Sequence, residues 1–488
     1  MLDYNALFLK RKNEILNSAT AVTVTGKSYY VSNEGDDNND GLSAVTPWKT
    51  LSKVSDADLN PGDGVFFRRG DLFRGKVQTK SGVTYSAYGE GKKPMLYGSE
   101  LSLADPTLWE IYDGEKHIWK STEKLLDVGT LVFDDGKAHS RKLIPSYRGG
   151  RFVCRDNEEK DFIIADEMTE DLDVFWYYDE VLTTKPSKGE DFPVPQVLNG
   201  GVGDVYLRCD KGNPGEVFKE IEFLPARHMF YVGTNENVTI DNLCIKYVGA
   251  HGVSAGGDNT VGLHVTNCEF GWIGGVIQTY LGLDPNYPEG KRGSVTRFGN
   301  AIEIYGGCDD YVVKNNYIYE VYDAGITHQI TACKKVEMKN VTYADNVIEK
   351  CVYGIEYFLE PKDDGFESFM DNIVIKNNFI RLSGYGWGQQ RHNYHTPAAI
   401  KGWSYPNMAS NFVITDNIFD RCAYRLLHLV ALKDEYCPEM VGNTYIQSRD
   451  GKLGQYGGNE AMEPENLNFS ETAVKEIFGD KTATVIEC

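Results

Sequence analysis

Two glutamates, a lysine and a histidine occupy one place in a tetrapeptide that recurs down the second half of the chain. The copies are His251–Ser254, Asn300–Glu303, Ala324–Thr327, Tyr353–Glu356, Ala398–Lys401 and Arg425–His428. Each has an aliphatic residue third and a polar residue fourth. Side chains alternate faces along a strand. If the copies stack, Val253, Ile302, Ile326, Ile355, Ile400 and Leu427 face a core. Ser254, Glu303, Thr327, Glu356, Lys401 and His428 then face outward together. Parallel strands lie ~4.8 Å apart, so Glu303 and Glu356, two coils apart, stand about 9.6 Å apart at the backbone. Carboxyls roughly 6.5–9.5 Å apart suit an inverting glycosidase, and about 5–5.5 Å a retaining one. The spacing leans toward inversion. Lys401, one coil beyond Glu356, should hold that carboxylate ionised as base or nucleophile. Glu303 is left as the proton-donating acid. The plain reading of either glutamate alone is a solvated surface residue. Their shared register with each other and with Lys401 makes them catalytic candidates.

Around this pair other residues carry smaller claims. Asp323, just before the Thr327 copy, is a third candidate carboxylate or a turn cap. Thr327 and Gln329 face out together and suit a sugar hydroxyl, while His328 turns inward. His251 belongs at the cleft floor or is a structural histidine. Arg297 could meet a substrate carboxylate or Glu303 itself. Three insertions, 279–298, 360–371 and 383–397, fall on the side of the polar column. The third holds Tyr385, Trp387, Arg391, His392, Tyr394 and His395. Aromatic rings and polar edges of this kind bind sugar faces and hydroxyls, or else pack a surface loop on itself.

A second ladder must position this column. Asn242, Asn267, Asn316, Asn346, Asn378, Asn417 and Asn443 each precede an apolar strand. One Asn per coil suits a corner where side-chain amides stack and the backbone turns left-handed. The repeat length varies from ~25 to ~50 residues, so loops are inserted at corners of a solenoid. The order is fixed: Asn strand, then polar-column strand.

The first third reads as short strands and tight turns, with no helices long enough for βαβ units. It carries YYVS, GDDNNDGLS and PWKTL within residues 29–51, then LNPGDGVFFRRGDLFRG and YGEGKKP. These motifs resemble those of bacterial right-handed parallel β-helix proteins active on carbohydrates. The resemblance implies an all-β, right-handed parallel β-helix and a glycoside hydrolase or polysaccharide lyase activity. Residues 101–221 break the rhythm and read as an inserted β-rich domain. In enzymes of the resembling kind such an insert often flanks the substrate cleft. The expected organisation is an N-terminal helix (1–27), first coils (28–100), insert (101–221), main β-helix (222–449) and C-terminal cap (450–488). The helix has Leu7, Phe8, Ile15 and Leu16 on its apolar side and is expected over one end of the core.

Composition narrows the partners. With 50 basic and 71 acidic residues the net charge is −21, which argues against nucleic acid or an anionic membrane. No run of ~18 apolar residues marks a transmembrane helix. The ten cysteines show no CxxC pair or zinc spacing and read as thiols in a reducing compartment. With no secretory leader legible at the start, the expectation is a cytoplasmic protein, or a secreted one if a leader was removed. The oligomeric state stays open, a homodimer included. No cofactor is implied. The loop Glu34–Gly41 reads as a turn, with calcium as its alternative, since it lacks EF-hand spacing.

Three functions remain. The first is a glycoside hydrolase using Glu303 and Glu356. The second is a polysaccharide lyase with Lys401 as base and Arg297, His428 or a metal neutralising a uronate carboxylate. The third is a carbohydrate-binding or adhesive stack without catalysis.

Overall fold

The structure is a computed structural model describing residues 3–144, 146–148, 151–153, 164–177, 201–280, 295–332, 334–361, 367–391, 396–402, 408–458 and 464–488. The chain is a right-handed parallel β-helix. Each coil contributes a strand to three walls. The first wall runs through the N-terminal halves of Val253–Thr266 and Ile302–Lys314. It continues with Ala324–Ala332, Tyr353–Pro361, Ala398–Gly402, Arg425–Ala431 and Lys452–Gly458. The C-terminal halves of the two long strands open the second wall, followed by Glu337–Ala344, Phe369–Lys376, Ala409–Thr415 and Glu439–Val441. The third holds Cys244–Val248, Glu269–Ile273, Tyr317–Val321, Val347–Glu349, Phe379–Ser383, Ile418–Cys422, Thr444–Gln447 and Thr484–Glu487.

The aliphatic column Val253, Ile302, Ile326, Ile355, Ile400 and Leu427 is fully buried in one continuous core. Burial of such side chains stabilises by roughly 1.5–3 kcal/mol each. That gain fixes the register, since a one-residue slip would turn the whole column to solvent.

Asn316, Asn346, Asn378, Asn417 and Asn443 form the buried amide ladder. From Asn346 onward, the Oδ1 of each accepts both the backbone N–H and the Nδ2 of the Asn one coil before, at 2.9–3.0 Å. The Asp480 carboxylate takes the same place after Asn443. The left-handed backbone sits one residue earlier, with φ between 50° and 60° at Asn242, Asn267, Asn315, Asp345, Asn377 and Asp416. Asn242 and Asn267 therefore belong to the turning position and not to the amide ladder. Cys268 stands in the ladder place of its coil, donating its backbone N–H to Asn316.

The stack passes directly over residues 101–221. Met95–Tyr97 pairs with Cys244–Lys246, and Val77–Gln78 with Phe230–Tyr231. The intervening segment forms antiparallel sheets of its own, among them Trp109–Asp113, Ile118–Ser121, Asp173–Tyr177 and Val202–Arg208. A buried joint fastens it to the stack. Asp127 pairs with Lys142 at 2.5 Å and accepts the Ile277 N–H at 2.6 Å.

Both ends differ from expectation. The N-terminal helix Tyr4–Leu16 lies along the outside of the third wall, where Phe8 and Ile15 pack on Tyr317, Val347 and Phe379. Its apolar stripe is too narrow to face a core end-on. Trp48, Leu51, Val54 and Leu59 cap the first coil instead. At the other end the repeat continues into 450–488: Lys452–Gly458 pairs in register with Arg425–Ala431. Gly454 there replaces the core aliphatic, and the neighbouring Leu453 fills the core. Ala473, Val474 and Phe478 join the core beyond it.

Candidate active site

The first wall aligns Tyr231, Ser254, Glu303, Thr327, Glu356, Lys401, His428 and Gln455 as direct strand partners. Two residues further along, Tyr305, Gln329 and Phe358 share a second outward column.

Glu303 is buried and held by three neighbours. Asn300 Nδ2 donates to its Oε2 at 2.5 Å, and Gln329 Nε2 donates to the same oxygen at 3.0 Å. His251 Nε2 lies 3.1 Å from Oε1. The Asn300 backbone N–H donates to His251 Nδ1 at 2.9 Å, so the ring proton resides on Nε2 and faces the carboxyl. Burial pushes Glu303 up to about 7, against the two amide donors that pull it down. Burial also lowers His251 to about 3, so the imidazole is neutral. His251 thus lies behind Glu303, as its support. Its ring stacks on His228 with centroids 5.1 Å apart, and His228 stacks on Tyr231 at 5.9 Å.

Glu356 meets the opposite environment. Lys401 Nζ lies 3.5 Å from its Oε1 and 4.0 Å from the centre of the Tyr353 ring. Burial, with help from the Arg391 and Arg425 charges, lowers the Lys401 ammonium to about 8 despite Glu356. Below that value Lys401 is charged beside Glu356. Between the glutamates, Thr327 Oγ1 donates to Gln329 Oε1 at 2.9 Å, which turns the Gln329 amide toward Glu303.

No family model matches the chain. Over 104 residues it is 38% identical to a lacto-N-biosidase of Bifidobacterium longum, a match covering 19% of this chain and 6% of that protein. The chain therefore matches only a small part of that relative's length. Among solved structures it is similar to the GH136 lacto-N-biosidase from Eubacterium ramulus, with TM-score 0.37 and 12% identity over 95% of this chain and 68% of the other. It is also similar to a structure described as a glycoside hydrolase, with TM-score 0.42 and 10% identity, over 89% and 95% of the two chains.

The remaining candidates fall into distinct places. Asp323 is held by the Arg391 guanidinium. His428 Nδ1 lies 2.8 Å from Gln455 Oε1, which also accepts from Arg425, and burial lowers His428 to about 3. His328 points inward, its Nδ1 2.7 Å from the Tyr343 hydroxyl. Two assignments are corrected. Arg297 does not turn to Glu303 or to solvent: it is buried and donates to the carbonyls of Gly275 at 2.7 Å and Gly129 at 2.9 Å, tying insert to stack. Trp387 presents no face to a sugar, being 1% exposed, tilted against the Tyr322 ring, with its indole N–H given to the Glu320 carbonyl at 2.7 Å. His392 and His395 lie outside the described residues.

Sequence reasoning missed Asn300, Tyr353 and Arg425 as site residues. They occupy the first place of their copies, as His251 does, and that shared place was the available signal. Gln455 and His228 had none. In the Glu34–Gly41 loop the carboxylates are engaged by protein donors: Glu34 pairs with Arg68, Asp36 accepts from Asn38, Asp37 from Lys49 and Thr50, and Asp40 from Leu42 and Thr46. Among the described residues no group of three or more His, Cys, Asp or Glu is arranged to hold a metal.

Proposed function

We propose that the protein is a glycoside hydrolase acting on an oligosaccharide, with Glu303 as general acid and Glu356 as general base. One observation carries this reading. Two carboxyls share an outward column two coils apart: burial raises Glu303 to about 7, and the Lys401 ammonium lies 3.5 Å from Glu356. The local likeness to a lacto-N-biosidase supports it. Glu303 gives its proton to the glycosidic oxygen as that bond breaks. Glu356 takes a proton from the water that attacks the anomeric carbon from the other face. The two-coil spacing, about 9.6 Å at the backbone, favours inversion, because a water needs room beside the sugar. Asp323 is committed to Arg391 and serves to hold the cleft edge.

The lowered Lys401 ammonium favours a second reading, a lyase in which Lys401 removes the proton next to a uronate carboxylate. Glu356 beside Lys401 weighs against it, since it would repel that carboxylate. Digestion of a panel of glycans separates the two. New reducing ends without the ultraviolet absorbance of an unsaturated uronate support hydrolysis; that absorbance overturns it.

A further inference from the structure

Along the same wall, on the N-terminal side of Glu303, a cavity of about 430 Å³ opens between the stack and the insert. Lys76, Gln78, Arg227, His228 and Tyr231 line it from the stack, and Leu126 from the insert. Gln78 and Tyr231 belong to the same strand register that carries Glu303: Gln78 pairs with Tyr231, Tyr231 with Ser254, and Ser254 with Glu303. Tyr231 is therefore two coils from Glu303, about 9.6 Å by strand spacing. The stacked rings of Tyr231, His228 and His251 connect the cavity floor to the Glu303 carboxyl.

We propose that this cavity is a substrate subsite for an acidic sugar, one carrying a carboxylate or sulfate, several units from the bond cleaved between Glu303 and Glu356. The inference rests on the hydrolase reading and adds the class of substrate to it. Its volume lies within the roughly 300–1,000 Å³ of ligand sites. Tyr231, 47% exposed, offers a ring face on which a pyranose can stack. Two of the lining side chains are cationic and none is acidic, in a chain of net charge −21. Arg227 is oriented by its ion pair with Glu100, and Lys76 is exposed. His228 is lowered to about 3 by burial, and then by its neighbours His251 and Lys76, so it stays neutral and supplies a polar edge. Arg227 is already paired with Glu100, so the exposed Lys76 ammonium is the cation that an anionic group on the sugar would meet, a contact that a neutral sugar does not make. The distance from Tyr231 to the cleavage point has to be spanned by an oligosaccharide, so the subsite also selects for chain length.

The test is calorimetric titration of the full chain carrying Glu356→Gln, which prevents turnover. The probes are a galacturonate trisaccharide, sialyllactose and a sulfated lactose, each paired with its neutral counterpart. At least one acidic probe is expected to bind about three- to tenfold more tightly than its counterpart, with the preference fading at high salt. Lys76→Gln, a surface change, is expected to erase that preference, and Tyr231→Ala to weaken acidic and neutral probes alike. Which pair shows the preference identifies carboxylate or sulfate. Equal binding within all three pairs, or a preference unchanged in Lys76→Gln, overturns the subsite. Either result leaves the hydrolase reading standing, because that is decided separately by product release from the wild-type protein.

Discussion

His251 Nε2 stands 3.1 Å from Glu303 Oε1, and the Asn300 backbone N–H on the other ring nitrogen fixes the tautomer that places a proton there. A neutral imidazole, a side-chain amide and a second amide thus orient one buried carboxyl. Donors favour its ionised form and burial the protonated one, and burial prevails.

That balance makes Glu303 a stability group with a defined sign. Its folded value, about 7, exceeds the unfolded 4.5, so the folded state binds the extra proton between them. Its contribution is complete below about 4.5 and lost as pH rises through about 7, at a cost of about 3 kcal/mol. Glu303→Gln removes this linkage and keeps the Asn300 donor bond. Thermal melts should show the variant gaining on wild type between about pH 5 and pH 8, with the difference levelling above that. A constant difference across the range would refute the burial of an ionisable group here.

Lys401 sets the other carboxyl. Replacing it with Met removes a positive charge 3.5 Å from Glu356 and should raise the Glu356 pKa. The acid limb of the kcat/KM profile should then move to higher pH, with activity retained on the alkaline side. Complete loss of activity at every pH would favour Lys401 as the base itself.

Much of this site was legible in the sequence. The register Ser254, Glu303, Thr327, Glu356, Lys401, His428 follows from a fourth place next to an always-aliphatic third place, because burying Ile302, Ile326 and Ile355 leaves the strand no choice of face. What escaped were contacts that cross a corner or another element. Asn300 reaches Glu303 around the strand start, and Arg297 and Trp387 turn away into the joint with the insert. Their residue types suit a sugar cleft as well as a buried seam, and only the packing partners decide. The amide ladder was misplaced by one residue at Asn242 and Asn267 because Asn serves both the turn and the ladder, adjacent in Asn315–Asn316 and Asn377–Asn378. Gln455 was hidden by Gly454, which breaks the aliphatic pattern one coil early.

The ladder should be costly to break. Asn378 donates to the Tyr343 carbonyl and to Asn417, and accepts two bonds from Asn346. Asn378→Ala leaves these buried partners unpaired and should destabilise by roughly 3 kcal/mol or more. Chemical denaturation measures this. A loss under about 0.5 kcal/mol would mean that the ladder is incidental.

Arg297 should matter to stability and not to substrate. Arg297→Met strands the Gly129 and Gly275 carbonyls and should cost about 2–4 kcal/mol, with KM unchanged at a temperature where the variant is folded. A raised KM with an unchanged melting temperature would return Arg297 to the cleft.

The pairing of Glu303 with Glu356 is tested by initial rates of glycosidic cleavage for wild type, Glu303→Gln and Glu356→Gln on a glycan that the wild type cleaves. Each variant should lose about 10²–10⁴-fold in kcat and retain the wild-type circular dichroism spectrum. Cleavage by either folded variant at near wild-type rate would contradict the assignment.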